Sequence, residues 1–327
     1  MQPSVLGLDI GGANLKAAHT DGSARLHPFE LWKTPNDLPN ALRDLMKSMP
    51  KSDLLAVTMT GELCDCFDSK RQGVRTILGA VKLAATHTPI RVWTTSGSFK
   101  NLEEAQADFL KTAAANWLAL ASYASQLAPK GSALLIDIGS TTTDIVSLLD
   151  GRPIPRGRTD PERLACRELV YTGVQRTPVC ALLGGRGAAE VFATTRDVYL
   201  LLGDLPADAN DRHTADGRPA TIEGAHARLA RMMCADSETC SLQVTQKLAQ
   251  EVFHRQRTLL QSAVTDISAQ LPGPPRTIVI SGSGEFLARQ LMTGVEIISL
   301  AEKLGPVVSS AACAYAVAVL AQEMLSR

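Results

Sequence analysis

"GLDIGGANLK", Gly7 to Lys16, returns in altered form as "LIDIGSTTTD", Leu135 to Asp144. Each copy carries an apolar run to an aspartate, then Ile-Gly, then polar residues, then a second apolar run. That pattern predicts two β-hairpins, closed by glycine turns at Gly11-Gly12 and at Gly139-Ser140. Small or missing side chains in such a turn let backbone N–H groups approach an anion such as a phosphate. An aspartate ending the preceding strand would repel phosphate. Asp9 and Asp137 are therefore read as ligands of a divalent cation, direct or through water, that bridges phosphate oxygens. The hydroxyls of Ser140, Thr141 and Thr142 and the amide of Asn14 add donors. A lone glycine hairpin is usually structural, but two in equivalent places of a duplicated fold carry much more weight.

Outward from the first hairpin, "ARLHPFELW" supplies a third strand. "NDLPNALRDLMKSM" has helical spacing behind an Asn36 or Asp37 cap, "LLAVTMT" is a buried strand, Ser69 to Thr86 is helical, and "IRVWT" is a strand. The order is βββαβαβ. The alanine-rich stretch from Leu102 to Leu127 predicts one helix, ended by "APKG". The second hairpin then restarts the pattern, with Asp150-Gly151 turning into a third strand. "TIVISGSGEF" and "VEIISL" are buried strands separated by a helix, and a last helix runs from about Val307 to Met324. Between Arg152 and Leu271 lie insertions: the polar "LPADANDRHTADGRPA", read as a mobile surface loop, and the long helical "TQKLAQEVFHRQRTLLQSAVTDISAQL". The division expected is residues 1–128 with about 306–327 as one α/β domain, and 129–305 as a second, with a helical insertion at about 152–271.

A chain of 327 residues, 45% hydrophobic and 20% charged, has the composition of a two-domain globular protein. Thirty-three basic residues balance thirty-three acidic ones, so composition gives no broad attraction to nucleic acid or to anionic membrane. No run reaches the ~20 apolar residues of a membrane span, and the first residues lead into a strand rather than a leader, so a cytoplasmic protein is expected. Seven cysteines, an odd number, fit reduced thiols. Cys64 and Cys66 have C-x-C spacing, but no second close pair with histidines completes a zinc site, and Cys234 and Cys240 fare no better. The six histidines form no H-E-x-x-H arrangement. Any metal should be oxygen-bound.

The two turns, together with "VISGSGEF", resemble the phosphate motifs and later glycine motif of the acetate kinase, sugar kinase, Hsp70 and actin superfamily. The resemblance implies two ribonuclease-H-like domains facing each other across a cleft. More narrowly, "MTGELCDCF", "RGRTDPERL" and "ELVYTGVQRTPVCAL" resemble the hydantoinase and oxoprolinase branch. Within it, the likeness is to proteins linked to tetrahydromethanopterin one-carbon metabolism in methanogens and methylotrophs, and it runs over nearly the whole chain. It implies an ether-forming transferase of methanofuran or methylofuran synthesis. In that reaction an aminomethylfuran-methyl diphosphate is joined to the phenol oxygen of a glutamyl tyramine- or tyrosine-type acceptor, and pyrophosphate leaves. Mg2+ is implied as cofactor and ATP is not expected. The implied partners are the small-molecule diphosphate and phenolic amine, without nucleic acid or membrane. An oligomer is left open by the apolar last helix, which is core, lobe bridge or subunit contact.

The phenol, with an unperturbed pKa near ~10, needs a proton acceptor, for which Asp144, Glu62 and Asp65 are the candidates. Glu62 and Asp65 have a plainer reading as charges in the first turn of a helix capped by Thr60. Lys16, matching Asp144 in the first copy, is either a phosphate contact or a solvated edge lysine. Cys64 either touches substrate or is simply buried. Thr172 and Arg176 stand around a glycine turn, where the planar fork of Arg176 suits a carboxylate or phosphate, against the alternative of a surface ion pair. Asp160 is read as a helix cap before Pro161. Gly282 and Gly284 either accept the furan end of substrate or a nucleotide base, or merely allow a tight turn. Two other readings remain: an ATP-using kinase or amidohydrolase, and a non-catalytic, nucleotide-switched module.

Overall fold

The computed structural model describes residues 3–326 and resolves the duplication into two sheets with the same wiring. The first contains β1 (Val5–Ile10), β2 (Asn14–His19), β3 (Ala24–Pro28), β4 (Leu54–Met59), β5 (Ile90–Trp93) and β6 (Phe99–Lys100), in the order β3-β2-β1-β4-β5-β6. α1 (Leu38–Lys47) leads into β4, and α2 (Lys70–Ala85), capped by the Ser69 hydroxyl, leads into β5. α3 (Leu102–Ala107), α4 (Phe109–Thr112) and α5 (Asn116–Leu127) follow. The single helix expected from Leu102 to Leu127 is thus three pieces. The breaks are local: Asp108 leaves helical geometry, and Ala114 has a φ of 46°, the left-handed region that no helix continues through.

The second sheet contains β7 (Ser132–Ile138), β8 (Thr143–Leu149), β9 (Arg152–Pro153), β10 (Leu169–Val170), β11 (Thr277–Ser281) and β12 (Glu296–Ser299). Its order is β10-β8-β7-β11-β12, with β9 also paired to β8. In both sheets the hairpin is antiparallel and the first strand gains a parallel neighbour on its other side, β4 for β1 and β11 for β7. The α/β class and the paired actin-like or sugar-kinase-like lobes follow from this wiring.

α6 (Asp160–Ala165), α7 (Val179–Leu183), α8 (Thr195–Leu202), α9 (Ile222–Arg231) and α10 (Leu242–Ser268) form the insertion in the second lobe. Its polar loop is not loose. Buried Arg228 reaches Asp197 of α8 and, at 3.0 Å, Asp216 of the loop, while Arg196 pairs with Asp211. Charge-assisted bonds to a buried guanidinium hold what composition alone reads as mobile. α11 (Glu285–Ala288), α12 (Leu300–Leu304), α13 (Pro306–Ser309) and α14 (Ala312–Leu325) close the chain, so the last predicted helix is also two pieces.

α14 covers the first sheet and α5 the second, and the two helices pack on each other. One apolar layer therefore serves both lobes: Val5, Leu54 and Ala56 from one sheet, Leu135, Val146 and Val279 from the other, and the alanines of both helices between. Tyr123 and Tyr315 meet edge to face within it, centroids 5.7 Å apart. The two hairpins differ at one packed position. Where the second has Leu135 the first has Gly7, because a Cβ there would lie 1.9 Å from the carbonyl oxygen of Ala314 on α14. Gly7→Val should accordingly cost about 3 kcal/mol of folding stability by overpacking, read as a lower urea midpoint at unchanged m-value; a variant as stable as the parent would show that α14 does not press on β1.

Candidate active site

The two turns are built alike. Gly11 N–H donates to the Asn14 carbonyl at 3.0 Å, and Gly139 N–H to the Thr142 carbonyl at 2.9 Å. Among the described residues, the amides of Gly12, Ala13, Ser140 and Thr141 have no protein acceptor. The Ser140 and Thr141 hydroxyls are 3.3 Å apart and half-buried. Two sets of free donors thus stand at the hairpin tips, where they could meet an anion.

Directly behind the turns stand the charged pairs. In strand register Asp9 lies opposite Lys16, and Asp137 opposite Asp144, so one position of the repeat carries lysine in the first lobe and aspartate in the second. Asp9 is 4% exposed and its Oδ1 has no hydrogen-bond partner. Burial raises its pKa, with Lys16 pulling part of the shift back. Asp137 is pushed up to about 6, first by burial and then by the Asp144 carboxylate. Burial works against the Lys16 ammonium, but Asp9, Cys313 and Asp137 outweigh it and hold it charged, with its pKa raised. Lys16 thus feels the aspartate of its own hairpin and that of the other lobe. The two turns share one gap.

Cys313, in the first turn of α14, stands in the same gap. Burial, then Asp9 and Asp137, push its thiol well above the ordinary range, and Asn116 Nδ2 donates to its sulfur at 3.7 Å. In the sequence its sole mark is one polarisable atom at the head of an alanine-rich helix. Asp144 is engaged as well. Its Oδ1 accepts from Arg163 Nη2 at 2.7 Å, and Arg163, 1% exposed, lies 3.9 Å over the Trp117 ring. Only one oxygen of Asp144 is left for other work.

Glu62 lies in a turn after β4, not in a helix; the helix begins at Lys70, so Thr60 caps nothing there. Its carboxyl is 1% exposed with Oε2 unpartnered, and burial pushes its pKa up to about 7. Lys70 and Asp160 face it. Asp160 is the first residue of α6, whose cap is Thr159, and it pairs with Lys70 across the lobes at 3.8 Å. Asp160, read as a cap, is therefore a lobe-to-lobe contact. Asp65 is exposed beside Cys64. Cys64 sits on the first turn, its sulfur 2.6 Å from where a Gly12 Cβ would be, and burial raises the thiol to about 11.

Three residues expected to touch substrate are engaged in tertiary contacts, which for Gly282 and Gly284 is the tight-turn alternative. Thr172 is buried, its hydroxyl accepting from Gln256 Nε2 at 2.8 Å and its carbonyl from the Thr143 hydroxyl at 2.8 Å. That network pins the 172–177 loop onto the second turn, where a Cβ on Gly173 would strike the backbone of residues 139–141. Gly282, at φ 87°, and Gly284 press on the end of β7: their Cβ positions fall 2.3 Å from the Ile138 carbonyl oxygen and 2.5 Å from Ile138 Cγ2. Arg176, by contrast, is exposed, and among the described residues no carboxylate pairs with it.

Residues 53–324 match the family described as hydantoinase/oxoprolinase. The chain belongs to the hydantoinase/oxoprolinase family. A relative in this family from Methanocaldococcus jannaschii, a (4-{4-[2-(gamma-L-glutamylamino)ethyl]phenoxymethyl}furan-2-yl)methanamine synthase, is 33% identical over 100% of both chains. A synthase of the same name from Methanococcus vannielii is 30% identical over 63% of this chain and 97% of its own. With such relatives this hydantoinase/oxoprolinase member is an enzyme acting on small molecules. Among solved structures, nucleotide-free acetone carboxylase matches 97% of this chain and 70% of its own with a TM-score of 0.56 at 11% identity, which is likeness of fold. Among the described residues no helix is long and apolar enough to cross a membrane.

The donor set suits a hard cation. Mg2+ is usually held by one or two carboxylates with water and phosphate oxygens completing its shell, and the unpartnered Asp9 Oδ1 with Asp137 would fit that pattern. Among the described residues no cluster of three or more Asp, Glu, His or Cys gathers as a self-sufficient metal site.

The raised pKa of Glu62 links its protonation to folding. Between its ordinary value of 4.5 and about 7 the folded state binds a proton that the unfolded state has lost, so stability falls as pH rises through that window. Glu62→Gln should flatten the decline, by up to about 3 kcal/mol, in urea titrations at pH 5 and pH 7.5. Equal slopes in the two proteins would mean that Glu62 is ionised throughout.

Proposed function

We propose that this enzyme is an ether-forming transferase of methanofuran or methylofuran synthesis, joining a furan-methyl diphosphate to a phenolic acceptor with release of pyrophosphate. One observation carries the reading: two matched turns with free amides open onto one gap lined by Asp9, Lys16, Asp137 and Asp144. The name shared by the two relatives adds support, since it contains a phenoxymethyl link to a furan.

The reaction forms a C–O bond from the phenol oxygen to the furan-bearing CH2 and breaks the bond from that carbon to the diphosphate oxygen. The electron pair of the broken bond leaves with pyrophosphate, and the phenol proton goes to a base. As the bond breaks, negative charge grows on the diphosphate, so fixed donors around it lower the barrier more than any other help. In this reading the amides of Gly12, Ala13, Ser140 and Thr141 and the Lys16 ammonium hold the diphosphate. Asp9 and Asp137 would hold Mg2+, which when bound supplies Lewis-acid neutralisation of the leaving group. The proton acceptor is Asp144, through the oxygen that Arg163 leaves free, or Glu62, whose pKa near 7 suits a base working at neutral pH.

A kinase or ATP-dependent amidohydrolase would use the same turns for a nucleotide. The absence of ATP from the proposed reaction separates the two. Purified protein given Mg2+, an aminomethylfuran-methyl diphosphate and a glutamyl tyramine or tyrosine acceptor should yield the coupled ether by mass, with pyrophosphate released only when both substrates are present. Asp137→Asn should lower kcat by about 100-fold or more, the scale of losing one element of charge stabilisation, and chelation by EDTA should stop turnover. ATP hydrolysis with no coupled product would overturn the transferase in favour of the kinase or amidohydrolase.

A further inference from the structure

Arg176 combines four observations that the proposed cradle does not use. Its backbone N–H donates to the Ser140 carbonyl at 2.9 Å, so it is rooted on the second turn. Its guanidinium lies 5.8 Å over the ring of Trp32, a residue of the first lobe. Trp32 is rooted in the same way, since the preceding Leu31 N–H donates to the Gly12 carbonyl at 2.9 Å. The guanidinium also lies near the Cys64 sulfur that covers Gly12. A cation carried by one turn thus hangs beside the other.

The root of this side chain is rigid and its tip is free. Thr172, Gly173 and Thr177 are tied by Gln256 and by one another, and Gln256 is held in turn by the Tyr199 hydroxyl at 2.5 Å. The guanidinium has no hydrogen bond or ion pair among the described residues; a stack on an aromatic face holds it weakly, at a cost a strong anion overcomes. The charge around the turns calls for such a cation. Arg163 is committed to Asp144, so among the described residues Lys16 is the cation that offsets both buried Asp9 and half-buried Asp137, and a diphosphate adds further negative charge.

We propose that Arg176 is a leaving-group ligand that rests on Trp32 and crosses the gap to the diphosphate when one is bound, its planar fork taking two phosphate oxygens from the side opposite its own root. The bound anion then links the lobes through one side chain, and the charge that grows as pyrophosphate departs meets a cation that is idle in the empty site. This rests on the diphosphate reading above.

The probe is magnesium pyrophosphate, followed by calorimetry and by tryptophan emission. Trp93 and Trp117 are 5% and 2% exposed, whereas Trp32 is half-buried, so removal of the guanidinium from its ring should dominate the change in emission. Wild-type protein should bind pyrophosphate with a saturable emission change. Arg176→Ala should bind at least about tenfold more weakly with the emission change lost, and Arg176→Lys should fall between, having the charge without the fork. Trp32→Phe should keep most of the calorimetric affinity and lose the signal. Because the Arg176 side chain is exposed, both of its variants should melt with the parent. If Arg176→Ala binds pyrophosphate as tightly as the wild type, the proposal fails and the diphosphate reading stands. If wild-type protein binds no pyrophosphate, both fail together.

Discussion

A buried carboxylate and a half-buried one, Asp9 and Asp137, stand near the ends of equivalent strands, and both act on one lysine, Lys16. Burying an ionised carboxylate costs several kcal/mol unless it is paired, and Lys16 offsets the charge of Asp9 and, with the Ser281 hydroxyl, of Asp137 only in part, since both pKa values stay raised. A fold built for stability alone would place apolar residues at these positions. Their place in the gap, one of them with an unpartnered oxygen, is an arrangement that a charged ligand would complete. The asymmetry of the repeat sharpens the point. The first lobe compensates its aspartate with Lys16, whereas the second sets Asp144 beside Asp137 and needs Arg163, stacked on Trp117, to keep that pair tolerable.

The apolar layer beneath the turns is what makes that arrangement possible. α5 and α14, rich in alanine, let the two sheets approach closely enough for hairpins from different lobes to share one gap. Gly7 is the local consequence, a residue with no side chain where a helix carbonyl touches the strand. The same layer carries Cys313 to the floor of the gap, while the interlobe pair of Lys70 and Asp160 and the bond from Arg158 to the Thr95 carbonyl, 3.1 Å, close its flank. Charged groups therefore run along the gap from Asp9 to Glu62, and few of them are neighbours in sequence.

The fold itself is shared with acetone carboxylase at 11% identity, and a fold so widely reused does not specify chemistry. What narrows the chemistry is the site. Its free amides and its lysine would suit an anion, its carboxylates would suit a hard cation, and in the proposed reaction Asp144 or Glu62 would accept the proton. In the proposed reaction the two turns would meet the diphosphate of a small substrate, with fixed dipoles facing a charged oxygen.

The sheet wiring, both glycine turns and the aspartates behind them are legible in the chain because they are local: alternation, turn residues and a repeated motif each span under a dozen positions. So are Asp144 and Lys16, which occupy one place in the repeat. The three-way break between Leu102 and Leu127 was hidden, since Ala114 is a strong helix former taken into the left-handed region by its surroundings. Thr172, Gly282 and Gly284 carry the composition of a ligand loop, and their tertiary contacts with Gln256 and Ile138 could not be read from it. Cys313, Asp160 and the meeting of Arg176 with Trp32 depend on residues far apart in the chain and carry no local period or spacing. Neighbours along the backbone could declare the hairpins; only the docking of two lobes, driven by burial of one shared apolar layer, could declare which side chains face each other across the gap.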